Sequence, residues 1–352
     1  MKIHEKYINR CIQLAENGLG TTYPNPLVGS VIVYKEKIIG EGWHKRAGEA
    51  HAEVIAINSV KDKSLLNKAT IYVSLEPCNH YGKTPPCSDL IIASGIKKIV
   101  IGNIDPFKEV SGKGIKKLMD AGCQVIVGIL DEKCAALNKR FFTFHKKKRP
   151  FIILKWAESV DGFLAPLDLK ELKERRPIWI TNNYSKQLVH KWRSEEASIL
   201  VGTNTAVKDD PELNTRLWKG NNPVRIVLDK KLRIPTDSKL LDGSIKTIIF
   251  TGKDSFIPQD TSENMIYEKI DYNKNMPAQV CDILYKYNLQ SVIIEGGSTT
   301  LQSFIDAEIW DEARVFTGEK HFKEGIKAPN LNGKLYNKQE ILGDTLRYYT
   351  HD

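Results

Sequence analysis

Three side chains that suit a soft metal ion stand in separate segments of this 352-residue chain. His51 opens an apolar segment, Cys78 follows an apolar run that ends in Glu76-Pro77, and Cys87 comes after eight further residues. One imidazole and two thiolates fill three of the four positions that zinc prefers and leave the fourth to water. The fold must therefore bring these segments to one point, where a zinc-bound water with a pKa near 7 would supply hydroxide for hydrolysis.

A carboxylate stands beside the first of these residues. Glu53 lies two residues after His51, a spacing that lets the histidine bind metal while the carboxylate moves protons between water and substrate. His-x-Glu followed by Pro-Cys and a second cysteine is the pattern of zinc deaminases, in which the glutamate is a proton shuttle and not a ligand. The cysteines here are farther apart than in the usual Cys-x-x-Cys form. The four remaining cysteines are expected to be reduced structural thiols: Cys11, Cys123, Cys134 and Cys281.

Length and composition favour a two-domain soluble enzyme. A chain of 352 residues exceeds one typical core, and 41% hydrophobic with 27% charged residues is ordinary for a globular protein. The N-terminus has no apolar signal-peptide region, and the apolar runs are far shorter than the roughly 18 residues that span a bilayer. We therefore expect a cytoplasmic protein with no membrane partner.

The net charge of +9 raises the question of a nucleic-acid partner. Residues 1–145 carry +6, residues 146–149 carry +4, and residues 150–352 carry −1. A basic first half suits a phosphorylated small substrate as well as RNA, and no basic motif with interleaved aromatic residues accompanies the charge. We predict a phosphorylated substrate and no nucleic-acid partner.

The pattern of apolar residues predicts α/β structure in both halves. In the first half we predict helices over about 4–17, 50–60, 88–94 and 114–121 and strands over 30–34, 38–42, 70–74, 98–102 and 124–127, a three-layer arrangement. In the second half we predict strands over 151–154, 178–181, 199–202, 224–229, 247–251 and 291–294 and helices over 184–194 and 278–287. The domains are expected at 1–145 and 151–352, joined by a basic linker at 146–150. Two helix N-termini would then point their positive ends at the metal.

Longer motifs resemble a known family, the bifunctional RibD proteins of riboflavin biosynthesis. In the first half the matching stretches are Tyr23–Gly29, Gly42-Trp43-His44, His51-Ala52-Glu53 and Leu75–Cys87. In the second half they are Leu154–Gly162, Trp179-Ile180-Thr181, Leu200-Val201-Gly202, Asp209–Arg216 and Glu295-Gly296-Gly297. The resemblance covers about residues 20–300 and is weak after Phe316.

The resemblance implies a cytidine-deaminase-like domain followed by a dihydrofolate-reductase-like domain. The first would remove the amine from 2,5-diamino-6-ribosylamino-4(3H)-pyrimidinone 5′-phosphate with Zn²⁺, and the second would reduce the ribosyl group to ribityl with NADPH. The zinc ligands would be His51, Cys78 and Cys87, and the proton shuttle Glu53. Positions matching deaminase substrate contacts in the family are Asn25, His44, His80 and Lys83.

For the reductase the resemblance implies two catalytic residues, Lys155 and Asp209, which would handle the protons that accompany hydride transfer. Positions matching substrate contacts are Arg193, Leu213, Arg216 and Glu295, with the two arginines on the phosphate. Positions matching cofactor contacts are Ala157, Trp179, Thr181, Thr205, Asp209, Lys230, Gly296, Gly297, Ser298 and Thr299. The resemblance also leads us to expect a homo-oligomer.

This chain departs from the family pattern at three reductase positions. Pro177 replaces a serine that helps to hold substrate, Phe163 replaces a lysine, and Asn204 replaces a glycine. Three alternatives therefore stay open: a deaminase with a degenerate reductase domain, a nucleic-acid deaminase such as a tRNA adenosine deaminase with an accessory domain, and a zinc-stabilised binding module with a closed ligand shell.

Overall fold

The computed structural model describes residues 2–79, 81, 85–106, 111–167, 178–252 and 262–351. The chain forms two compact units, Met1–Lys148 and Arg149–Asp352. The division falls inside the basic segment 146–150, whose first two residues belong to the last helix of the first unit. No helix in the described ranges combines the length and the apolar character that crossing a membrane requires.

The first unit alternates helices and strands along the chain. Its elements are α1 (Lys2–Glu16), β1 (Gly29–Tyr34), β2 (Lys37–Trp43), α2 (Ala52–Ser59), β3 (Thr70–Leu75), α3 (Cys87–Ala93), β4 (Lys98–Asn103), α4 (Lys113–Asp120), β5 (Gln124–Val127), α5 (Asp131–Leu137) and α6 (Lys139–Lys147). A short 3₁₀ helix, Lys63–Lys68, precedes β3. The strands form one sheet in the order β2-β1-β3-β4-β5. Every element predicted for this half is present, with ends that differ by at most two residues, whereas α5 and α6 were not predicted.

Strand alternation builds the three layers of this unit. Successive side chains of a strand point to opposite faces, so Ile32 and Val31 of β1 enter different clusters. Ile32 packs with Ala56 of α2 and other residues on one face, and Val31 packs with Ile8 of α1 on the other. Each such fully buried side chain contributes roughly 1.5–3 kcal/mol through burial. The three-layer α/β fold expected for the first half is confirmed.

The second unit is a larger α/β domain. Its elements are β6 (Phe151–Glu158), β7 (Phe163–Pro166), α7 (Asn183–Glu195), β8 (Ser198–Gly202), α8 (Thr203–Asp209), β9 (Val224–Leu228), β10 (Thr247–Gly252), β11 (Met265–Ile270), α9 (Met276–Lys286), β12 (Ser291–Ile294), α10 (Ser298–Asp306), β13 (Glu312–Thr317), β14 (Gly325–Lys327), β15 (Lys334–Ile341) and β16 (Asp344–Thr350). A 3₁₀ helix, Lys239–Leu241, lies between β9 and β10. Nine strands form one sheet in the order β11-β10-β9-β8-β12-β6-β13-β16-β15, and β7 pairs with β14.

The strand predicted at Ile178–Thr181 is wrong. This stretch has no strand partner among the described residues, and Trp179 is 45% exposed. The Lys320 ammonium donates to the Trp179 carbonyl at 2.6 Å, in place of a neighbouring strand. A short apolar run of this kind does not distinguish a strand from an irregular segment by periodicity alone.

The C-terminal tail, where the family resemblance is weak, joins the sheet. Seven strands from β11 to β13 are parallel, and β16 and β15 extend them as an antiparallel hairpin. In a parallel sheet the carboxyl ends of the strands share one edge, where ligands bind beside strands that the chain visits out of order. Strand β12 lies between β8 and β6, so the segments after β8 and β12 and the last residues of β6 meet at this edge.

Candidate active sites

The three residues predicted to bind zinc come together in the first unit. The ligand atoms of His51, Cys78 and Cys87 all lie within 4.8 Å of one another. His51 Nδ1 is 3.2 Å from Cys87 Sγ and 3.5 Å from Cys78 Sγ. His51 is the N-cap of α2, and Cys87 is the first residue of α3. The folded chain therefore places an imidazole nitrogen and two sulfurs around one point beside two helix N-termini.

This geometry fits a zinc ion. Zn–N and Zn–S bonds of about 2.0 and 2.3 Å in a tetrahedron give N···S separations of about 3.5 Å, close to the two observed here. A set of one nitrogen and two sulfurs is typical of Zn²⁺ and unsuited to hard cations such as Mg²⁺. Three protein ligands leave one coordination position for water or substrate. The closed four-ligand shell of a purely structural zinc module is not formed by the described residues.

The electrostatics of this cluster favour a charged sulfur. A hydrogen bond from the Cys87 thiol, with His51 nearby, lowers the pKa of Cys78 to about 4. The same hydrogen bond and burial raise the pKa of Cys87, because one shared proton stabilises a single thiolate. The backbone N–H of Cys87 also donates to Cys78 Sγ at 3.3 Å. The site is thus prepared for a cation that replaces the remaining protons.

Glu53 lies in the first turn of α2, next to the cluster. Its side chain is buried, and burial raises the pKa of its carboxyl to about 7, with the Cys78 sulfur adding to the effect. A carboxyl with a pKa near the working pH both accepts and donates a proton readily. Its location and acidity match a proton shuttle.

Asn25 and His44 form a chain of hydrogen bonds that leads to the metal ligand. Asn25 Nδ2 lies 3.1 Å from His44 Nε2, and His44 Nδ1 lies 3.1 Å from the carbonyl oxygen of Ala50. Because a carbonyl only accepts, His44 carries its proton on Nδ1, and burial lowers the pKa of this ring. The rings of His44 and His51 meet edge to face at 5.4 Å. His80 and Lys83, the other two predicted substrate contacts, lie outside the described residues.

Glu76 has a role that the sequence did not reveal. Its buried carboxylate accepts hydrogen bonds from four backbone N–H groups, those of Asp105, Gly112, Gly114 and Ile115. Two of these donors belong to the first turn of α4. A side chain on Gly114 would come within 2.1 Å of the Pro77 oxygen, so glycine allows α4 to lie against the segment that carries Cys78. A glutamate before Pro-Cys gives no sequence signal for contacts so far along the chain.

In the second unit, strand register places the reductase residues side by side. Leu154 of β6 pairs with Ile294 of β12, so Lys155 and Glu295 are adjacent at the end of that pairing. The two charges are 3.9 Å apart. Arg193 of α7 donates to the Glu295 carboxylate twice, at 2.7 and 3.2 Å. All three side chains are largely buried, which makes this a low-dielectric cluster of two cations and one anion.

The charges set one another's protonation. Burial opposes ionisation of Glu295, but Arg193 and Lys155 outweigh it and hold the pKa of Glu295 at about 2. Burial lowers the pKa of Lys155, and Arg193 adds to the lowering while Glu295 opposes it. A lysine with a lowered pKa gives up its proton more readily than an ordinary one. Lys155 is thereby suited to proton transfer.

Asp209 is not part of this cluster. It is the last residue of α8, and no ion pair within 4 Å joins it to Lys155 in the described part of the chain. Burial raises the pKa of Asp209 to about 6. The structure therefore pairs Lys155 with Glu295, while Asp209 stands apart as a second group that titrates near neutral pH.

The arginines predicted to hold phosphate differ in availability. Arg193 uses its fork on Glu295, and its Nη1 donates to the Asn214 carbonyl at 3.2 Å. Arg216 is exposed and donates to Asn214 Oδ1 at 2.9 Å. Of the two, Arg216 presents the more accessible charge.

His190 was not identified from the sequence. It is buried on α7, one turn before Arg193. Burial, with help from Arg193 and Arg216, lowers its pKa to about 4, so the ring is neutral beside this cluster. The spacing of three residues between His190 and Arg193 on an amphipathic helix is the signal that could have indicated a shared face.

The predicted cofactor residues surround the close approach of two strand ends. A side chain on Gly296 would lie 2.5 Å from the backbone nitrogen of Gly202, so the segments after β8 and β12 touch through their backbones. Helices α8 and α10 begin at these points, and the Gly297 N–H donates to Thr205 Oγ1 at 3.0 Å. Ser298 and Thr299 form the first turn of α10. Two helix N-termini beside glycine turns are suited to phosphate groups.

The other predicted residues are dispersed. Ala157 is in β6, Thr181 precedes α7, Lys230 follows β9, and Leu213 is buried with a positive φ of 48°. The exposed Trp179 ring lies under the Lys186 ammonium at 3.9 Å. Of the departures, Phe163 pairs with Lys327 across β7 and β14, and Asn204 Oδ1 accepts from Arg233 at 3.0 Å. Pro177 lies outside the described residues.

Comparison with known proteins matches both units to enzyme domains. Residues 1–103 match the model of the cytidine and deoxycytidylate deaminase zinc-binding region, and residues 150–320 match that of the RibD C-terminal domain. The riboflavin biosynthesis protein RibD of Aquifex aeolicus is 39% identical over 332 residues, 94% of this chain and 91% of that protein.

Solved structures agree over the full length. A diaminohydroxyphosphoribosylaminopyrimidine deaminase/5-amino-6-(5-phosphoribosylamino)uracil reductase from Thermotoga maritima is 36% identical, with a TM-score of 0.88 and 99% of each chain covered. RibD from Acinetobacter baumannii is 30% identical, with the same TM-score and coverage. The chain therefore belongs to the RibD family of bifunctional riboflavin biosynthesis enzymes, which combine a zinc deaminase with an NADPH-dependent reductase.

Proposed function

We propose that this chain deaminates 2,5-diamino-6-ribosylamino-4(3H)-pyrimidinone 5′-phosphate and then reduces the product to 5-amino-6-ribitylamino-uracil 5′-phosphate. The first step is assigned to residues 1–145 and the second to residues 151–352. The observation that carries the proposal is the convergence of His51, Cys78 and Cys87 on one point beside the buried Glu53.

In the deamination, water replaces the ring amine, and ammonia leaves. Zinc held by His51, Cys78 and Cys87 would supply the hydroxide. The Glu53 carboxylate takes the proton released by water and returns it to the departing amine, which its pKa of about 7 supports. Asn25 and His44, joined by a hydrogen bond near His51, are proposed to orient the pyrimidine. His80 and Lys83 stay predictions as substrate contacts.

In the reduction, the sugar ring opens to an imine at C1′, which accepts a hydride from NADPH at carbon and a proton at nitrogen. We assign Lys155 to that proton, because burial lowers its pKa and Glu295 fixes its position. Asp209, with a pKa of about 6, is proposed to help open the ring. The exposed Arg216 is proposed to take the phosphate, with Arg193 holding Glu295 in place and Leu213 and Glu295 contacting substrate.

The cofactor is proposed to lie along the edge formed by Gly296, Gly297 and Thr205. The first turn of α10, with Ser298 and Thr299, would face its phosphates through free N–H groups. The further positions assigned to the cofactor are Ala157, Trp179, Thr181, Asp209 and Lys230. Use of a single small phosphorylated substrate, with no nucleic-acid partner, stays a prediction, as do the homo-oligomeric state and the cytoplasmic location.

The order of the two steps is tested with Glu53→Gln. In this variant the diamino substrate should cause no NADPH oxidation, because the reductase receives no deaminated product. Pre-deaminated substrate should restore NADPH oxidation to the rate of the unchanged protein. Equal NADPH oxidation with both compounds would show that reduction does not wait for deamination, and the proposed route would be wrong.

A further inference from the structure

A buried asparagine holds the segment that carries Asn25. Asn138 is 2% exposed and lies at the junction of α5 and α6. Its Oδ1 accepts from the Leu27 N–H at 2.8 Å, and its Nδ2 donates to the Leu27 carbonyl at 2.9 Å. These two bonds satisfy both backbone groups of Leu27, a residue 111 positions away in sequence, much as a neighbouring strand would.

The clamped segment connects directly to the proposed substrate contacts. Leu27 is two residues after Asn25, whose side chain bonds to His44 Nε2. The backbone N–H of His44 donates to the Val28 carbonyl at 2.9 Å, so His44 is also tied to this segment. His44 in turn contacts the carbonyl of Ala50, next to the metal ligand His51. A shift at Leu27 therefore moves both proposed contacts relative to the metal.

Asn138 is itself firmly placed. Its backbone N–H bonds to the carbonyls of Cys134 and Ala135, and its own carbonyl accepts from Phe142, which starts α6. Only an amide of this length offers one donor and one acceptor to a single peptide group; aspartate would set a carboxylate oxygen against the Leu27 carbonyl. The contact thus depends on asparagine itself.

We propose that Asn138 is a positioning residue of the deaminase site, which sets Asn25 and His44 at the correct distance from His51 through the Leu27 backbone. The inference rests on the proposed substrate role of Asn25 and His44. It gives α5 and α6, which no predicted site residue touches, a part in substrate binding. Asn138 acts on substrate binding and not on metal binding, because none of the three metal ligands contacts it in the described structure.

The test uses the full chain with Asn138→Ala, which removes both bonds, and Asn138→Asp, which replaces the donor with an acceptor. We expect the deaminase KM for the diamino substrate to rise and kcat/KM to fall by about 10–100-fold, as for a misplaced substrate. Zinc content should stay at one per chain, and reduction of pre-deaminated substrate should not change. Asn138→Ser, which keeps one possible bond, is the milder variant and should raise KM by about fivefold.

A matched control separates positioning from general loss of stability. Tyr7 is buried in the same unit, and its hydroxyl donates to the Glu36 carbonyl at 2.7 Å, at the far end of the β1–β2 hairpin from Leu27. Tyr7→Phe should leave the deaminase KM within about twofold of the original value. If the Asn138 variants keep zinc and match the Tyr7→Phe value of KM, or lose zinc in step with activity even in Asn138→Ser, the proposal is wrong. Failure of the unchanged protein to release ammonia would instead overturn the proposed function.

Discussion

Arg193 and Glu295 are joined by two hydrogen bonds, at 2.7 and 3.2 Å, that connect α7 to the segment after β12. Both side chains are about one-tenth exposed, so the pair lies in a low-dielectric environment. Removing one partner of such a pair leaves an uncompensated buried charge, which costs far more than the net value of the pair. The stability of the reductase unit should therefore depend strongly on Arg193.

We predict that Arg193→Ala lowers the free energy of unfolding of the second unit by about 3–5 kcal/mol at pH 7. Urea unfolding followed by tryptophan fluorescence measures this change. The control is Lys191→Ala on the same helix, because Lys191 and Glu195 form an exposed pair at 3.7 Å that should contribute under about 0.5 kcal/mol. Equal effects of the two variants would show that the Arg193–Glu295 pair has no special role.

The same pair gives a pH dependence with a definite sign. The folded-state pKa of Glu295, about 2, lies below its ordinary value of 4.5, so the folded state favours the charged form. Its contribution to stability is complete above about pH 4.5 and is lost as pH falls toward 2. The difference in unfolding free energy between the unchanged protein and Arg193→Ala should thus shrink between pH 6 and pH 3. A difference that grows on acidification would contradict the assignment.

The zinc site yields a metal prediction. Elemental analysis should find one zinc per chain, and Cys78→Ser or Cys87→Ser should lose the metal together with deamination, because serine is a poor zinc ligand. Reduction of pre-deaminated substrate should continue in both variants. Cys123→Ser changes a buried cysteine outside the cluster and should keep the metal. Full deaminase activity in metal-free protein would exclude the proposed mechanism.

Glu53→Gln separates proton transfer from metal binding. Zinc should stay bound, while the deaminase kcat falls by roughly 10²–10⁴-fold, the usual effect of losing a general acid and base. Metal analysis and ammonia release on the same sample measure both quantities. Loss of zinc in this variant would mean that Glu53 is a ligand.

Gly296→Ala tests the cofactor edge. The added carbon would come within 2.5 Å of the Gly202 nitrogen and 2.7 Å of Val201 Cα, both backbone atoms with little freedom to move. Overpacking of this kind costs about 1–3 kcal/mol and would push apart the strand ends that begin α8 and α10. NADPH binding, measured by titration of fluorescence, should weaken while deamination is unchanged. Unaltered NADPH affinity would place the cofactor elsewhere.

Local motifs made the metal site predictable, whereas the contacts that support it were not. His51, Glu53 and Cys87 stand at helix starts and Cys78 follows a strand, features that apolar periodicity and Glu-Pro-Cys indicate directly. The clamps made by Glu76 and Asn138 join the side chain to backbone groups tens of residues away. Backbone N–H and C=O groups are identical at every position, so their partners cannot be identified from residue types.

The reductase site shows a similar limit. Lys155, Arg193 and Glu295 were each identified, but their mutual pairing follows from the register of β6 with β12, which apolar runs do not encode. The expected partnership of Lys155 with Asp209 was not found for that reason. The C-terminal hairpin β15–β16 was missed because every residue of β15 except Ile341 is exposed, which leaves no apolar pattern to detect.

The central claim, that one chain carries out both steps, is tested most directly by the stoichiometry of the complete reaction. The full chain with zinc is incubated with the diaminopyrimidine ribosyl phosphate and NADPH, and ammonia and nicotinamide absorbance are followed together. We predict one NADPH oxidised for each ammonia released at completion, and ammonia alone when NADPH is omitted. Ammonia release with no NADPH oxidation in the complete mixture would show a deaminase with a degenerate reductase domain, and would contradict the bifunctional assignment.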